Sequence, residues 1–316
     1  MSGMSGRRTI AVLGATGNQG GGLVRAVLDD PAAPFAVRAI TRNAGSGRAR
    51  ELAARGATIV EADLGDPASL RPAFVDAHGA YVVTNFFESM SADVEKAQAR
   101  AAAGAVKDAG VSHVIWSTLE DTRTALAGSG VPELQGTYTV PHFDAKDDAN
   151  AYFRELGVPT TFLRTTFFWE AFTQGLGPRR GEDGTLALTL PLGERRLSGI
   201  ASEDIGRTAY GIFKRGVELV GETVSIAGEH LTGQQYAAAF ARALTEPVEY
   251  RPMTVEQFRA LRQPTSDEFA NMFRYYHDAE AEFTGDRELS KVRDLNPRLQ
   301  SFDQWLGLHL GSFTGL

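Results

Sequence analysis

The amino-acid sequence predicts an α/β fold: a Rossmann doubly wound parallel sheet with a smaller mixed α/β C-terminal lobe. Strands and helices alternate at short spacing through the first half of the chain, which implies right-handed βαβ units and a parallel sheet. A glycine-rich run lies where the first strand meets the first helix. After about residue 170 the alternation becomes irregular. We therefore expect a first domain over residues 1–165 and a second over 166–316, with a cleft between them and some late segments returning to the first.

Buried strands and sheet-facing helices follow one another in order. The predicted strands are Thr9–Leu13, Ala36–Thr41, Ala57–Ala62, Ala80–Thr84, His113–Ser117 and Thr160–Leu163. The helices between them are Gly20–Asp29, Gly47–Arg55, Asp66–Val75, Ser91–Ala109 and Phe143–Leu156. Each strand is a short apolar run and each helix has apolar residues at helical spacing.

The segment Asp121–Pro141 breaks this rhythm and is rich in glycine and proline. A loop of this length inside a compact domain is often a functional lid. Beyond residue 170, strand-like pieces (Leu186–Leu190, Thr223–Ile226) alternate with helices (Ser202–Lys214, Thr232–Leu244, Val255–Leu261). This mixture favours a small α/β lobe.

Composition excludes several classes of function. The net charge of −7 argues against a general binder of nucleic acid or of anionic membranes, because both need a basic surface. The chain has no cysteine, which removes disulfides, thiolate metal sites and thiol nucleophiles. We expect a cytoplasmic protein with no membrane-spanning segment.

The turn after the first strand has the pattern G-x-x-G-x-x-G, formed by Gly14, Gly17 and Gly20, with Thr16, Asn18 and Gln19 between them. The first glycine allows a sharp turn, the second a close approach of backbone to a pyrophosphate, and the third close packing of helix on strand. The alternative is a glycine-rich turn without a ligand. The position between a strand and a helix is the context that a dinucleotide site requires. For the next two glycines, Gly21 and Gly22, close packing is the better interpretation.

The end of the second strand indicates which dinucleotide is bound. An NAD site places a carboxylate there for the ribose 2′-hydroxyl, but this chain has Thr41 and Arg42, and no Asp or Glu between Asp30 and Glu51. A guanidinium suits a 2′-phosphate. The sequence therefore predicts NADP(H), the alternative for Arg42 being a solvated surface residue.

Other chemical constellations are missing from the sequence. The six histidines are scattered, and neither the G-x-S-x-G pattern of hydrolases nor the G-x-x-x-x-G-K-[ST] pattern of NTPases occurs. We therefore predict no metal site.

Later motifs resemble the NmrA-like family of atypical short-chain dehydrogenases, most closely the branch of the NADPH-sensor protein HSCARG. The resemblance rests on the glycine turn and on later motifs along nearly the whole chain. These motifs are Val83–Phe86, Trp116–Glu120, His142–Lys146, Ala270–Tyr276 and Asp303–Leu306. It implies a Rossmann domain that binds NADP(H) and a small C-terminal lobe.

The resemblance also implies further cofactor contacts. Residues after the third strand would lie near the adenine, and residues after the fourth would lie along the cofactor. The candidates are Asp63, Leu64, Thr84, Asn85, Phe86, Lys146 and Phe167. Asp63 could instead serve as a turn or cap residue. Phe168 and Trp169 are better explained as core, as are the aromatic residues of Ala270–Tyr276.

Catalysis is the open question. Short-chain dehydrogenases protonate the substrate with Tyr in Tyr-x-x-x-Lys, assisted by Ser. By resemblance Ser117 and Lys146 occupy the Ser and Lys positions, but His142 occupies the Tyr position. His142 could act as a general acid, and Tyr138 is another candidate.

Two functions follow. The first is an NADP(H)-binding redox sensor with little or no catalysis and a regulatory protein partner. The second is an NADPH-dependent reductase of a small carbonyl, imine or enone substrate. A homodimer is compatible with either.

Overall fold

The computed structural model describes residues 7–313 and residue 315, so residues 1–6 of the predicted first domain lie outside the described residues. The first half contains β1 (Arg8–Leu13), α1 (Asn18–Leu28), β2 (Phe35–Thr41), α2 (Gly47–Ala54), β3 (Thr58–Glu61) and α3 (Pro67–Phe74). It continues with β4 (Gly79–Val82), α4 (Phe86–Ser89), α5 (Ala92–Asp108), β5 (His113–Thr118), α6 (Pro141–Glu155) and β6 (Thr160–Arg164). All the predicted elements of this half are present, with ends that differ by a few residues.

The second half contains β7 (Phe167–Phe168), β8 (Arg179–Arg180), β9 (Leu186–Leu188), β10 (Arg196–Ile200), α7 (Ser202–Arg215), β11 (Thr223–Ser225) and β12 (Glu229–Thr232). It ends with α8 (Gly233–Leu244), β13 (Val248–Tyr250), α9 (Val255–Arg259), α10 (Ser266–Asp278), α11 (Glu280–Gly285), α12 (Leu289–Leu295) and α13 (Phe302–His309). Short 3₁₀ helices occupy Trp169–Gln174, Gly216–Leu219 and Leu310–Phe313. The sequence patterns did not reveal β7, β8, β10, β12, β13 or the helices after α9.

The chain forms two compact units. The first comprises residues 7–120, 145–165 and 203–224, and the second comprises 121–144, 166–202 and the described residues from 225 onward. Residues 121–144, which the sequence placed in the first domain, lie in the second unit. Residues 203–224 return to the first unit.

The first unit is built on a seven-stranded sheet in the order β3-β2-β1-β4-β5-β6-β11. Strands β1 to β6 pair in parallel. The order reverses between β1 and β4, as in a doubly wound sheet, where ligands bind beyond the carboxyl ends of the strands. The predicted fold class is therefore confirmed.

Helices cover both faces of this sheet. On one face, apolar residues of α3, α5 and α6 pack in a common core with β1, β4 and β5, including Phe74, Val106, Trp116 and Phe153. On the other face, α1 crosses α7 very closely. A Cβ on Gly22 would lie 2.8 Å from the Glu203 carbonyl oxygen, and one on Gly206 would lie 2.1 Å from the Leu23 nitrogen. The packing role predicted for Gly22 is confirmed.

The second unit has two small sheets, in the orders β12-β10-β7 and β13-β9-β8. Its core is aromatic. Trp169, Phe172, Tyr236, Phe302 and Trp305 are buried, and their rings contact one another at centroid distances of 4.7–6.1 Å. Within the described residues, no helix is long and apolar enough to cross a membrane.

Candidate functional site

The glycine turn between β1 and α1 is a tight backbone structure. Gly14 has φ +67°, a left-handed conformation that favours glycine. The Gly17 amide donates to the Gly14 carbonyl at 2.9 Å. A Cβ on Gly20 would lie only 2.5 Å from that same oxygen, so helix α1 starts against the turn only if this residue has no side chain.

Helix α1 presents its amino end at this turn. Gly17 is the N-cap residue, and among the described residues no side chain caps the helix. The first N–H groups of a helix have no partner within the helix and carry partial positive charge. Gly17 and Asn18 are both exposed. The arrangement fits a phosphate group.

Gln19 is held from beneath by two hydroxyl groups of the sheet. The Tyr81 hydroxyl donates to Gln19 Oε1 at 2.7 Å, and the Ser117 hydroxyl donates to the same oxygen at 2.8 Å. Burial raises the pKa of the Tyr81 phenol, which keeps it a proton donor. Gln19 therefore has a fixed side chain at the start of α1, as a ligand-contacting residue needs.

Arg42, directly after β2, is exposed and forms a two-point ion pair. Its two terminal nitrogens donate to the two carboxylate oxygens of Glu88, on α4, at 2.8 and 2.9 Å. A second arginine, Arg48, donates to the Thr16 carbonyl of the turn at 3.1 Å. Thr16 and Thr41 have their hydroxyl oxygens 3.4 Å apart. Two guanidinium groups thus lie beside the turn, as a phosphate-bearing ligand would require.

Asp63 and Leu64, beyond β3, have local structural contacts. Asp63 Oδ1 accepts from the Gly65 amide at 2.8 Å, which is the turn role considered from sequence. Leu64 packs against the core of the first unit. A cofactor contact by either residue remains a prediction.

The residues after β4 differ in accessibility. Thr84 and Phe86 are buried, whereas Asn85 is exposed and forms the N-cap position of α4. The Phe86 ring meets the Phe87 ring edge-on at 5.6 Å. Of these residues, Thr84 makes the contacts that connect β4 to Lys146.

Lys146, in α6, lies in a buried cluster of the first unit. Its ammonium group donates to the Thr84 hydroxyl at 2.8 Å and to the Thr84 carbonyl at 3.2 Å, and it pairs with Glu95 Oε1 at 2.5 Å. Glu95 is fully buried and Lys146 nearly so. The ammonium also lies 5.2 Å from the centre of the Trp116 ring. Its three N–H donors are therefore directed at protein acceptors.

Ser117 and Lys146 are not brought together. Trp116 and Thr118, on either side of Ser117 in β5, both hydrogen-bond to Asn150 of α6. Successive side chains of a strand point to opposite faces of the sheet. Ser117 accordingly points to the face covered by α1, where it contacts Gln19. Ser117 and Lys146 therefore have separate partners, Gln19 for Ser117 and Thr84 and Glu95 for Lys146, and their catalytic roles remain predictions.

In the second unit, His142 is held by Glu268 of α10. The Glu268 carboxylate accepts from the His142 backbone amide at 2.9 Å and also contacts the imidazole Nδ1. Both side chains are nearly buried. A carboxylate on Nδ1 holds that nitrogen as the protonated one, because a carboxylate only accepts. This pair is a carboxylate–imidazole dyad that the sequence did not reveal.

The segment Asp121–Pro141, expected as a lid, is fastened at its base. Asp144, fully buried, accepts from the backbone amides of Thr122, Thr139 and Val140 at 2.8–3.0 Å, and from two hydroxyls. The Asn271 amide donates to the Thr139 carbonyl at 2.6 Å. Tyr138, a candidate acid, is 6% exposed and its backbone pairs with Leu134. The middle of the segment is mostly exposed.

Phe167 is buried in the second unit and contacts the Phe172 ring at 5.4 Å. The core roles predicted for Trp169 and for the aromatic residues of 270–276 are confirmed, since Trp169, Phe273, Tyr275 and Tyr276 are all buried. Phe168 is half-buried.

Sequence reasoning missed two buried carboxylates that pair with candidate site residues: Glu95 with Lys146, and Glu268 with His142. A signal for each was available. Glu95 lies on the stripe of α5 that also carries Ala92, Ala99 and Ala102, all buried. Glu268 lies three and four residues before Asn271 and Met272, also buried. A charged residue on an apolar helix stripe is buried at a cost unless it is paired.

No group of three or more His, Cys, Asp or Glu residues able to hold a metal ion occurs in the part of the chain that the structure describes.

Comparison with known proteins identifies relatives across the chain. The family model described as "NmrA-like family" matches residues 6–306. The chain is 30% identical over 272 residues to the "NmrA-like family domain-containing oxidoreductase himF" of Aspergillus japonicus, covering 77% of this chain and 78% of that protein. It is 31% identical over 254 residues to an "NAD(P)H azoreductase" of Xenophilus azovorans, covering 78% of each chain.

A solved structure is also similar. It is described as Nmra, a negative transcriptional regulator, in complex with NAD. The two chains are 25% identical, with a TM-score of 0.76 and coverage of 95% of this chain and 94% of the other. Both the sequence and the fold therefore connect this chain to the same group of proteins.

Proposed function

The chain belongs to the NmrA-like family, and on that premise we propose that it binds NADP(H) and acts as a sensor of that cofactor, with little or no catalysis. The observation that carries cofactor binding is the turn at Gly14–Gly20. Its backbone closes so tightly that a Cβ at Gly20 would overlap the Gly14 carbonyl, and it points the uncapped end of α1 outward. Backbone of this shape binds phosphate.

The residues around the turn fit the rest of the cofactor. The α1 amino end, with Gly17, Asn18 and Gln19, would hold the pyrophosphate. The Arg42 guanidinium, exposed at the end of β2, would hold a 2′-phosphate through paired hydrogen bonds. Once bound, the nicotinamide group supplies hydride-transfer chemistry.

The arrangement of polar side chains favours sensing over turnover. Ser117 supports Gln19 on one face of the sheet, and Lys146 is held by Thr84 and Glu95 on the other. His142 replaces the expected tyrosine. These observations support the proposal that the Ser–Tyr–Lys set by which related enzymes deliver a proton does not operate in this chain. We also assign the chain to the NADPH-sensor branch of the family on this ground.

A reductase is the second candidate, and a specific observation favours it. The curated relatives named above are called oxidoreductase or azoreductase. The His142–Glu268 dyad offers a proton carrier that does not depend on tyrosine, because a carboxylate on Nδ1 orients an imidazole for acid–base work. In this reading Glu268 is a positioning residue for His142.

Titration tests cofactor choice. We expect NADPH to bind more tightly than NADH, and Arg42→Met to reduce NADPH affinity about ten- to hundredfold while NADH affinity stays the same, because only the phosphate uses the guanidinium. Isothermal titration calorimetry measures both. Equal affinities for the two cofactors in the unaltered protein would refute the NADP(H) assignment.

Two measurements separate sensor from reductase. A sensor should show slower hydrogen exchange in residues 121–141 with NADPH than without it, and negligible NADPH oxidation with azo, quinone, imine and enone compounds. A reductase should oxidise NADPH with at least one of them, and His142→Gln should lower kcat and alter its pH profile. Unchanged exchange in that segment would argue against the sensor.

A further inference from the structure

Glu88 forms an ion pair with the Arg42 guanidinium, the group that would bind the 2′-phosphate in the proposed function. Both terminal nitrogens of Arg42 donate to the carboxylate of Glu88, at 2.8 and 2.9 Å. A guanidinium fork binds a carboxylate and a phosphate through the same paired geometry. The two acceptors therefore compete for one donor surface.

The position of the pair in the sheet explains why a cofactor would meet it. Arg42 follows β2 and Glu88 lies in α4, which follows β4. Strand β1, with its glycine turn, lies between β4 and β2 in the sheet. Neighbouring strands are about 4.8 Å apart, so β2 and β4 lie roughly 10 Å apart, with β1 between them. The side chains of Arg42 and Glu88 close this distance beyond the carboxyl end of β1. In doubly wound sheets a dinucleotide crosses at this point.

Local hydrogen bonds fix the backbone that carries Glu88. Helix α4 is a single turn that ends at Met90, which has φ 53° and an amide that donates to the Phe86 carbonyl at 2.7 Å. The Glu88 amide donates to the Asn85 carbonyl at 3.2 Å. The side chains of Arg42 and Glu88 are 62% and 47% exposed, so water can replace either partner and the pair can open without a large penalty.

We propose that Glu88 is a specificity-determining residue that competes with the 2′-phosphate of NADP(H) for Arg42. This inference rests on the proposed function, because it requires that Arg42 bind the phosphate. A 2′-phosphate can replace the Glu88 carboxylate as the anionic partner of Arg42, whereas a 2′-hydroxyl cannot. Glu88 thus lowers NADP(H) affinity and leaves Arg42 neutralised when no phosphate is present.

The test is a set of cofactor titrations by calorimetry at low salt with Glu88→Gln, Arg42→Met and the double variant. Glu88→Gln should tighten NADPH binding about two- to fivefold, the range set by an exposed ion pair, and change NADH binding less than about 1.5-fold. In the Arg42→Met background, Glu88→Gln should have no effect on NADPH. Asp93→Asn, an exposed carboxylate on α5, is the control for net charge and should change neither affinity.

Each result has a distinct meaning. If Arg42→Met weakens NADPH binding but Glu88→Gln does not strengthen it, the competition is refuted while the proposed NADP(H) site stands. If Glu88→Gln strengthens NADPH and NADH equally, or acts equally without Arg42, the residue is a general charge and the inference is wrong. If Arg42→Met leaves NADPH binding unchanged, the proposed function loses its phosphate contact.

Discussion

The glycine turn and the first two turns of α6 are built in contrasting ways. Gly14, Gly17 and Asn18 of the turn are exposed, and the turn is held by backbone contacts among Gly14, Gly17 and Gly20. His142 and Lys146 of α6, in contrast, are buried and depend on distant partners. Lys146 binds Thr84, 62 residues away in sequence, and His142 binds Glu268, 126 residues away.

The difference shows that a short motif can carry information of two kinds. The glycine pattern predicts a backbone geometry, and that geometry alone forms the proposed phosphate site. The pattern His142-x-Asp144-x-Lys146 shows only which ionisable residues the helix contains. The role of each residue comes from its partner: the Glu268 carboxylate for His142, the N–H donors of Thr122, Thr139 and Val140 for Asp144, and the Glu95 carboxylate for Lys146.

The largest expected effect concerns Lys146. Lys146→Met should lower the free energy of unfolding by about 3–5 kcal/mol, because the buried Glu95 carboxylate loses its counterion. Among the described residues, the second oxygen of Glu95 already has no hydrogen-bond partner. Urea denaturation followed by circular dichroism measures the loss. The double variant with Glu95→Gln should recover most of it; a single-variant loss below about 1 kcal/mol would remove the contrast between the two regions.

The next effect concerns Asp144. Asp144→Asn should cost about 1.5–3 kcal/mol, because an amide nitrogen would then face backbone donors at Thr122, Thr139 or Val140. Hydrogen exchange should quicken across residues 122–140 and remain unchanged in β1. Asp93→Asn, which is exposed, should affect neither quantity. Equal acceleration throughout the chain would mean that Asp144 does not fasten this segment in particular.

Gly20→Ala tests the turn through the same quantity, the free energy of unfolding. The added Cβ would press on the Gly14 carbonyl, so we expect a loss of about 1–3 kcal/mol together with weaker NADPH binding. Gly104, in the middle of α5, has open space where a Cβ would be placed. Gly104→Ala should therefore stabilise by about 0.5–1 kcal/mol and leave NADPH binding unchanged. Undiminished NADPH binding by Gly20→Ala would contradict the role given to the turn.

The smallest effect on stability is expected at Arg42. Its side chain is 62% exposed and its ion pair is screened by water, so Arg42→Met should change the free energy of unfolding by less than about 0.5 kcal/mol. Thermal denaturation of the cofactor-free protein measures this. A larger loss would show that the rim of the turn, like α6, depends on tertiary partners for its stability.

The sequence by itself determined the positions of the first six strands along the chain, the glycine turn after β1 and the absence of a carboxylate after β2. These features follow from local rules: apolar periodicity, the backbone freedom of glycine and the chemistry of a single side chain. The close packing at Gly22 could be anticipated for the same reason, since several adjacent glycines indicate a close approach of backbone.

Only the tertiary structure decided the roles of the charged and hydroxyl groups. The alternation of side chains along β5 puts Ser117 on the α1 face, where it contacts Gln19, whereas Lys146 contacts Thr84 and Glu95. Residues 121–144 belong to the second unit, where Glu268 and Asn271 of α10 hydrogen-bond to His142 and Thr139 of that segment. The sequence specified which residues are ionisable, but their interactions depend on the partners within about 3 Å, and those partners come from distant parts of the chain.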